Sequence, residues 1–470
     1  MIFLRLLAAI FCFCAPLAAA DKPNVLFIAV DDLNDWVGYL GGHPQARTPH
    51  IDALARKGVA FQHAYCPAPV CGPSRTALMY GMAPHKSGSY GHHEIYSPAK
   101  RLPESQMPLN EVFQKNGYYT AGCGKIFHYR EVERGWNEFR YQFSGFKTEI
   151  RKVGILDYGV QETDNDSDTA DGKLVDWTIA QLQLEHDKPF FIAMGLRKPH
   201  LPWTAPRRYY EQIELEKVQL PPCPEDELAD IPEAGKTFAH NMVGFHKKND
   251  HAAILEDGIE GWRQLVHAYL ATCSFADANV GRLLEALEQS PHRDNTIVVL
   301  WGDHGWHLGE KEHWRKMALW ERSTRTPFII AAPDMKAASI EAPVSLLDIF
   351  PTLVELCGLE CGQPLDGNSL VPLLTGADKD WDKPVTISHG PGNFAIRQGP
   401  WRLIRYADSS EELYNIQEDP KEFTNLAAVP GHEATLNALR EQLPKTWAHV
   451  IGPRFKNFPG AFAAPQATQE

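Results

Sequence analysis

Basic residues are scarce in this chain, and that closes one class of function. Its 46 lysines and arginines stand against 59 aspartates and glutamates, a net charge of −13. Non-specific nucleic-acid binding draws on a basic surface, so the composition argues against it. An anionic substrate stays open, because one local basic pocket overrides a weak overall field. Long apolar runs are missing beyond the first twenty residues: 190–196 and 297–301 fall far below spanning length. Residues 1–20 carry Arg5, an apolar stretch and Ala18-Ala19-Ala20, the pattern of a secretory signal peptide. The expectation is an exported protein, periplasmic or extracellular, with no membrane span. An even cysteine count is missing too. Nine cysteines become seven once Cys12 and Cys14 leave with the leader, so at least one thiol is unpaired or used otherwise. Cys357 and Cys361 are the expected bridge; Cys66, Cys123, Cys223 and Cys273 show no readable pairing. No internal repeat is present.

What remains is α/β texture. Residues 24–30 form a continuous apolar run, as a strand buried on both faces requires, and end in Asp31-Asp32. Thr48 and Pro49 then open a helix that Gly58 closes. Strand and helix go on alternating: strand 121–126, helix 167–184, strand 189–195, helix 262–287, strand 296–301. This predicts a large domain over 21–375 with a mostly parallel central sheet flanked by helices. Near residue 375 the texture changes to short strand-like runs, 401–406 and 412–416, and a helix over 433–449. A small α+β subdomain with an antiparallel sheet is expected over 376–458, and a disordered tail over 459–470. Two long, turn-rich stretches, 144–166 and 203–260, have the length of segments that line or cover a site.

The chemistry gathers at strand ends. Asp31-Asp32 closes one buried strand and Gly302-Asp303-His304-Gly305 another. Ligand sites in open α/β sheets lie at those carboxyl ends. Three carboxylates left together unpaired would repel, and a cation resolves that; the oxygen-rich set favours Ca²⁺ or Mg²⁺. Basic groups cluster nearby at Lys125 and His128, at Arg197, Lys198 and His200, and at Arg315-Lys316, as an anion pocket requires. The remaining element is Cys71-Gly72-Pro73-Ser74-Arg75, a helix start with a cysteine at its lip. Its free N–H groups and the Arg75 fork attract anions.

Cys71-x-Pro73-Ser74-Arg75, with Gly81 closing the segment, resembles the signature of type I sulfatases in the alkaline-phosphatase superfamily. Tyr80 departs from the usual threonine before that glycine. Gly124-Lys125-Ile126-Phe127-His128, Lys198-Pro199-His200 and Asp303-His304-Gly305-Trp306 look most like the iduronate-2-sulfatase branch. The resemblance implies an alkaline-phosphatase-like fold and hydrolysis of a sulfate ester on a sulfated glycan, a 2-O-sulfated uronic acid favoured. It implies that a separate maturation enzyme oxidises Cys71 to formylglycine (3-oxoalanine), whose hydrate is the nucleophile at Ca²⁺. The implied metal ligands are Asp31, Asp32, Asp303, His304 and the modified Cys71. The implied catalytic set is Cys71, Arg75, Lys125, His128, His200, Asp303 and Lys316. Trp203, Arg207, Arg208, Trp306 and His307 lie near the matched segments and are candidate saccharide contacts. Two other readings stay open: a phosphonate or phosphodiester hydrolase on the same scaffold, and an unmatured protein that only binds sulfated glycans.

Overall fold

The computed structural model describes residues 22–91, 102–103, 105–128, 134–240 and 249–448. The leader over 1–20 and the tail over 459–470 lie outside the described residues.

An eight-stranded sheet forms the centre. Its order is Ala338–Ile340, Val59–Phe61, Phe328–Ala331, Thr296–Gly302, Asn24–Val30, Phe190–Leu196, Tyr119–Gly124, Glu138–Arg140. Only the two pairings made by Phe328–Ala331 are antiparallel. Strand side chains alternate between two separate cores. Leu26, Ile28 and Val30 face the long helix Gly258–Glu288 and the helix Ala170–Leu182. Val25, Phe27 and Ala29 face the layer that holds Cys71–Tyr80, Leu109–Lys115 and Ile349–Leu356. Burial on both faces explains the unbroken apolar run over 24–30.

Register places the site. Val30 pairs with Leu196 on one side and Gly302 on the other, and Gly124 pairs with Gly195. Four strands therefore end level. Asp31, Lys125, Arg197 and Asp303, each the next residue in its chain, leave from one edge of the sheet. Gly124 holds φ +71°, and a Cβ there would lie 2.1 Å from the Gly195 carbonyl oxygen. Glycine thus lets the chain turn sharply and bring Lys125 under the sheet edge.

Several boundaries move from those expected. The strand expected over 121–126 is Tyr119–Gly124, ended by that turn. The helix opened by Thr48 receives no cap from its side chain. Instead the Asp277 carboxylate on the long helix accepts the N–H groups of His50 and Ile51, at 3.1 and 2.8 Å. The stretches 144–166 and 203–260 are not plain loops. Arg151–Val153, Leu156–Gln161 and Trp203–Pro206 make a second sheet, and Glu233–Ala239 and Asp250–Leu255 are helices. Strands of three to six residues, paired across some forty positions, leave little local periodicity to read.

The Cys357–Cys361 bridge does not form. All seven cysteines after residue 20 are free. Cys357 is buried at the end of Ile349–Leu356 and packs as a small apolar side chain in the core.

The C-terminal sheet is antiparallel, in the order Val385–Ser388, Phe394–Gln398, Trp401–Arg405, Glu411–Asn415. Leu436 and Leu439 of the helix Glu433–Glu441 cover Ile396, Leu403 and Leu413. The opposite face packs Ile387, Ala395, Ile404 and Tyr414 against Tyr65 and Trp320. Buried Arg402 pairs there with Glu321 and, at 3.3 Å, with Glu422, so this sheet braces the segment that follows Lys316. Among the described residues no helix is long and apolar enough to cross a membrane.

Truncating Ile28, fully buried in the central strand, to alanine should cost about 2–5 kcal/mol of unfolding free energy. Truncating exposed Leu184 should stay within about 0.5 kcal/mol. Urea unfolding of the two variants checks this.

Candidate active site

Cys71 is the first residue of a ten-residue helix in which every side chain is buried, and Val70 before it offers no side-chain cap. The thiol lies 3.5 Å from Asp32 Oδ1, 3.2 Å from His304 Nε2 and 2.9 Å from Lys316 Nζ. Burial pushes its pKa well up, more than offsetting Lys125 and Lys316. The group is a neutral thiol, a poor nucleophile as it stands.

Ser74 and Arg75, one turn on, lock the helix to the sheet edge. Ser74 Oγ donates to the Asp303 carbonyl at 2.6 Å. Arg75 donates through Nε to Asp303 Oδ2 at 2.8 Å and through a terminal nitrogen to Asp31 Oδ1 at 3.2 Å. Its other terminal nitrogen reaches the carbonyls of Lys125 and Ile126, and Trp301 lies beneath the guanidinium, 5.3 Å from its carbon. Lys125 Nζ meets Asp31 Oδ2 at 2.5 Å and Lys316 Nζ meets Asp32 Oδ1 at 2.7 Å. Burial opposes ionisation of Asp31 and Asp32, yet the surrounding cations hold both carboxyls well below their usual range. Burial likewise works against charge on Lys316, and Asp32 with its neighbours more than restores it.

The expectation of three mutually repelling carboxylates therefore needs correction. Arg75, Lys125 and Lys316 already neutralise Asp31, Asp32 and Asp303, so repulsion is no argument for a cation. A different observation is. His304 Nδ1 lies 2.8 Å from the Gly305 carbonyl, which only accepts, so this nitrogen is the donor. In the neutral ring that burial favours, the Nε2 lone pair then faces Asp32 Oδ1 at 3.2 Å and Asp303 Oδ1 at 3.6 Å. Acceptors this close together form a ligand set that one positive centre can share. Asp32 Oδ2 is also buried and accepts no hydrogen bond. Asp32, Cys71, Asp303 and His304 offer four ligand atoms within 4.8 Å of one another, and the residues fit a metal ion.

The other expected residues divide. His200 Nε2 stands 3.9 Å from Asp32 Oδ2, with a third of its side chain exposed. The protein packed around its ring depresses its pKa more than Asp32 raises it. Trp306 is buried beside the site, its ring centroid 5.2 Å from Lys316 Nζ. His128 is half-buried at the end of the turn that carries Lys125. Trp203 is fully buried and packs edge-on against Trp306 and Tyr269. Arg207 is on the surface, paired with Glu162, and Arg208 pairs with Asp166. His307 is buried against Ser323 and His313. None of those four hydrogen-bonds or pairs with the thiol or with the three carboxylates around it.

One positioning residue was not legible. Asp32 holds φ +59°, a strained value for a side chain with a Cβ. Tyr269 on the long helix holds it there, donating to the Asp32 carbonyl at 2.7 Å and accepting from Asn34 N at 3.0 Å. Nothing local marks Tyr269; only the helix's docking does.

Acids, ammonium groups and a helix-lip cysteine gather at the strand ends of a doubly wound sheet, the edge where such sheets bind ligands, and form a charged site of the enzyme class. Comparison with known proteins narrows the class. Residues 23–359 match the family model described as Sulfatase, and 309–449 match "N-sulphoglucosamine sulphohydrolase, C-terminal". The chain is 37% identical over 449 residues to a protein named Sulfatase from Formosa agariphila, covering 91% of this chain and 87% of that one. It is 29% identical over 396 residues to human Iduronate 2-sulfatase, covering 73% and 70%. Among solved structures, a phosphonate monoester hydrolase from Silicibacter pomeroyi superposes with a TM-score of 0.73 at 23% identity, over 90% of this chain and 94% of that one. That likeness speaks for the fold. The chain belongs to the sulfatase family and is a sulfuric ester hydrolase.

Replacing Arg75 with methionine leaves Asp303 and Asp31 buried without their shared partner. A loss of about 3–5 kcal/mol is expected, read as a lowered midpoint in urea.

Proposed function

We propose that this enzyme releases sulfate from a sulfated saccharide, a 2-O-sulfated uronic acid favoured, through a formylglycine made from Cys71. The observation that carries the reading is the placement of Cys71: a buried, neutral side chain at the point where three carboxylates and three cations converge. A separate maturation enzyme supplies the oxidation. The uronic acid rests on the branch motifs and on the name of the human relative, and export through the leader belongs to the same reading.

Ca²⁺ held by Asp31, Asp32, Asp303, His304 and the modified residue would polarise the sulfate oxygens. Because the protein charges already balance, a divalent ion would leave a net positive seat for an anionic ester. One hydroxyl of the hydrated aldehyde attacks sulfur in line while Asp303 takes its proton. The S–O bond to the sugar breaks, and the departing alcohol takes its proton from the pair His200 and Lys316, of which Lys316 is the member the carboxylates keep charged. Lys125, Lys316 and Arg75 hold the growing negative charge. His128 then takes the proton of the second hydroxyl, the C–O bond to sulfate breaks, and the aldehyde re-forms. A serine has no second hydroxyl and cannot eliminate sulfate.

Cys71→Ser should therefore show one sulfuryl transfer per active site with an aryl sulfate, then stop. Steady multiple turnover by this variant, or wild-type preference for aryl phosphonates over aryl sulfates, would overturn the reading. Metal removal has its own readout. Adding Ca²⁺ to chelator-treated protein at about a hundred times its Kd should stabilise it by about 2.7 kcal/mol, seen as a raised melting temperature. Asp32→Asn should abolish most of that increment.

A further inference from the structure

Beside His200 the structure opens a second cavity of about 480 Å³, within the roughly 300–1,000 Å³ typical of ligand clefts. His200 belongs to both spaces: its ring nitrogen faces Asp32, and its side chain lines this cavity. The cavity therefore begins where the departing alcohol would leave the reacting sulfate. We propose that it is a subsite for a second, acidic sugar ring on the leaving-group side, a proposal that rests on the sulfatase reading above.

Three features of the lining point to such a ligand. Arg197 supplies an exposed cation in a chain of net charge −13, and Lys198 adds charge from behind the wall, its ammonium held by the carbonyls of His200 and Pro202. The carboxylate opposite them, Asp171, is occupied by the backbone N–H groups of Arg197 and Lys198, at 3.1 and 2.8 Å. Gln161 is 7% exposed, and its Oε1 is buried without a hydrogen-bond partner. A buried carbonyl oxygen left bare is unfavourable, and a sugar hydroxyl is a donor that can satisfy it. The rim is apolar. Of the seven large hydrophobic side chains exposed among the described residues, Phe146 and Ile150 both stand on this one cavity. Exposed apolar groups beside convergent polar ones are how protein clefts take a ring with one apolar face.

The rim is also held in place. Lys173 Nζ donates to the Ser144 carbonyl at 2.8 Å, and Arg197 donates to Gln142 Oε1 at 3.1 Å. The stretch over 144–166, whose length marked it as lining or covering a site, thus supplies Phe146, Ile150 and Gln161 to a built wall.

The test is equilibrium binding, by calorimetry, of three disaccharides to the full-length protein. All share one linkage and an unsulfated first ring; the second ring carries a carboxylate in one probe, no charge in another and a sulfate in the third. The acidic probes should bind about tenfold more tightly than the neutral one. Arg197→Gln, at an exposed position, should remove that preference, and Gln161→Leu should weaken all three. The more strongly bound acidic probe identifies the charge as carboxylate or sulfate. Equal affinity for acidic and neutral probes, or an Arg197→Gln protein whose preference stays within twofold of wild type, would overturn the subsite. The readout needs no turnover, so failure here and failure of the reaction mechanism are separate results.

Discussion

The site depends on one buried guanidinium. Arg75 joins Asp303 at the end of one strand, Asp31 at the end of its neighbour, and the two carbonyls of the turn after a third. Lysine could not replace this fork, because a single ammonium cannot donate in four fixed directions at once. The same helix carries Cys71 at its lip, so the ties that fix Arg75 also fix its thiol against the carboxylates.

This arrangement is costly by itself. Burying three carboxylates and three cations forfeits much hydration, and well-packed apolar groups would stabilise the chain at least as well. What the charges provide is a neutral, pre-aimed set of donors and acceptors that need not reorganise when charge develops on a substrate. Strain at Asp32, held by Tyr269, belongs to the same economy: local stability is given up to aim one carboxylate. His304 Nε2 and the Oδ1 atoms of Asp32 and Asp303 converge there into a set that a positive centre can share.

Much of this was legible before any coordinates. The unbroken apolar run over 24–30, its acidic end and the level companion at Asp303 predicted both the parallel sheet and the edge where chemistry collects. The motif around Cys71 marked the helix lip on which these groups converge. What escaped reading was set by long-range docking. Asp277 caps a helix more than two hundred residues away, and Tyr269 props Asp32 from the opposite layer. The strands inside 144–166 and 203–260 exist only as partners of one another. Trp203, Arg207 and His307 sat beside matched motifs in sequence, yet the fold turned them into packing, a surface ion pair and a buried hydrogen bond. Nearness along the chain does not survive folding as nearness to a site. The cysteine count was read correctly as odd, but burial in the second core, and not a bridge, is what occupies Cys357.

The central claim is that Cys71 is a precursor and the mature side chain an aldehyde. Mass spectrometry of the tryptic peptide spanning Cys71, from active protein made with its maturation partner, tests it most directly. The peptide should be lighter than its thiol form by the difference between a thiol and an aldehyde, and should react with a hydrazine probe. A fully active enzyme whose peptide retains the unmodified thiol would contradict the account.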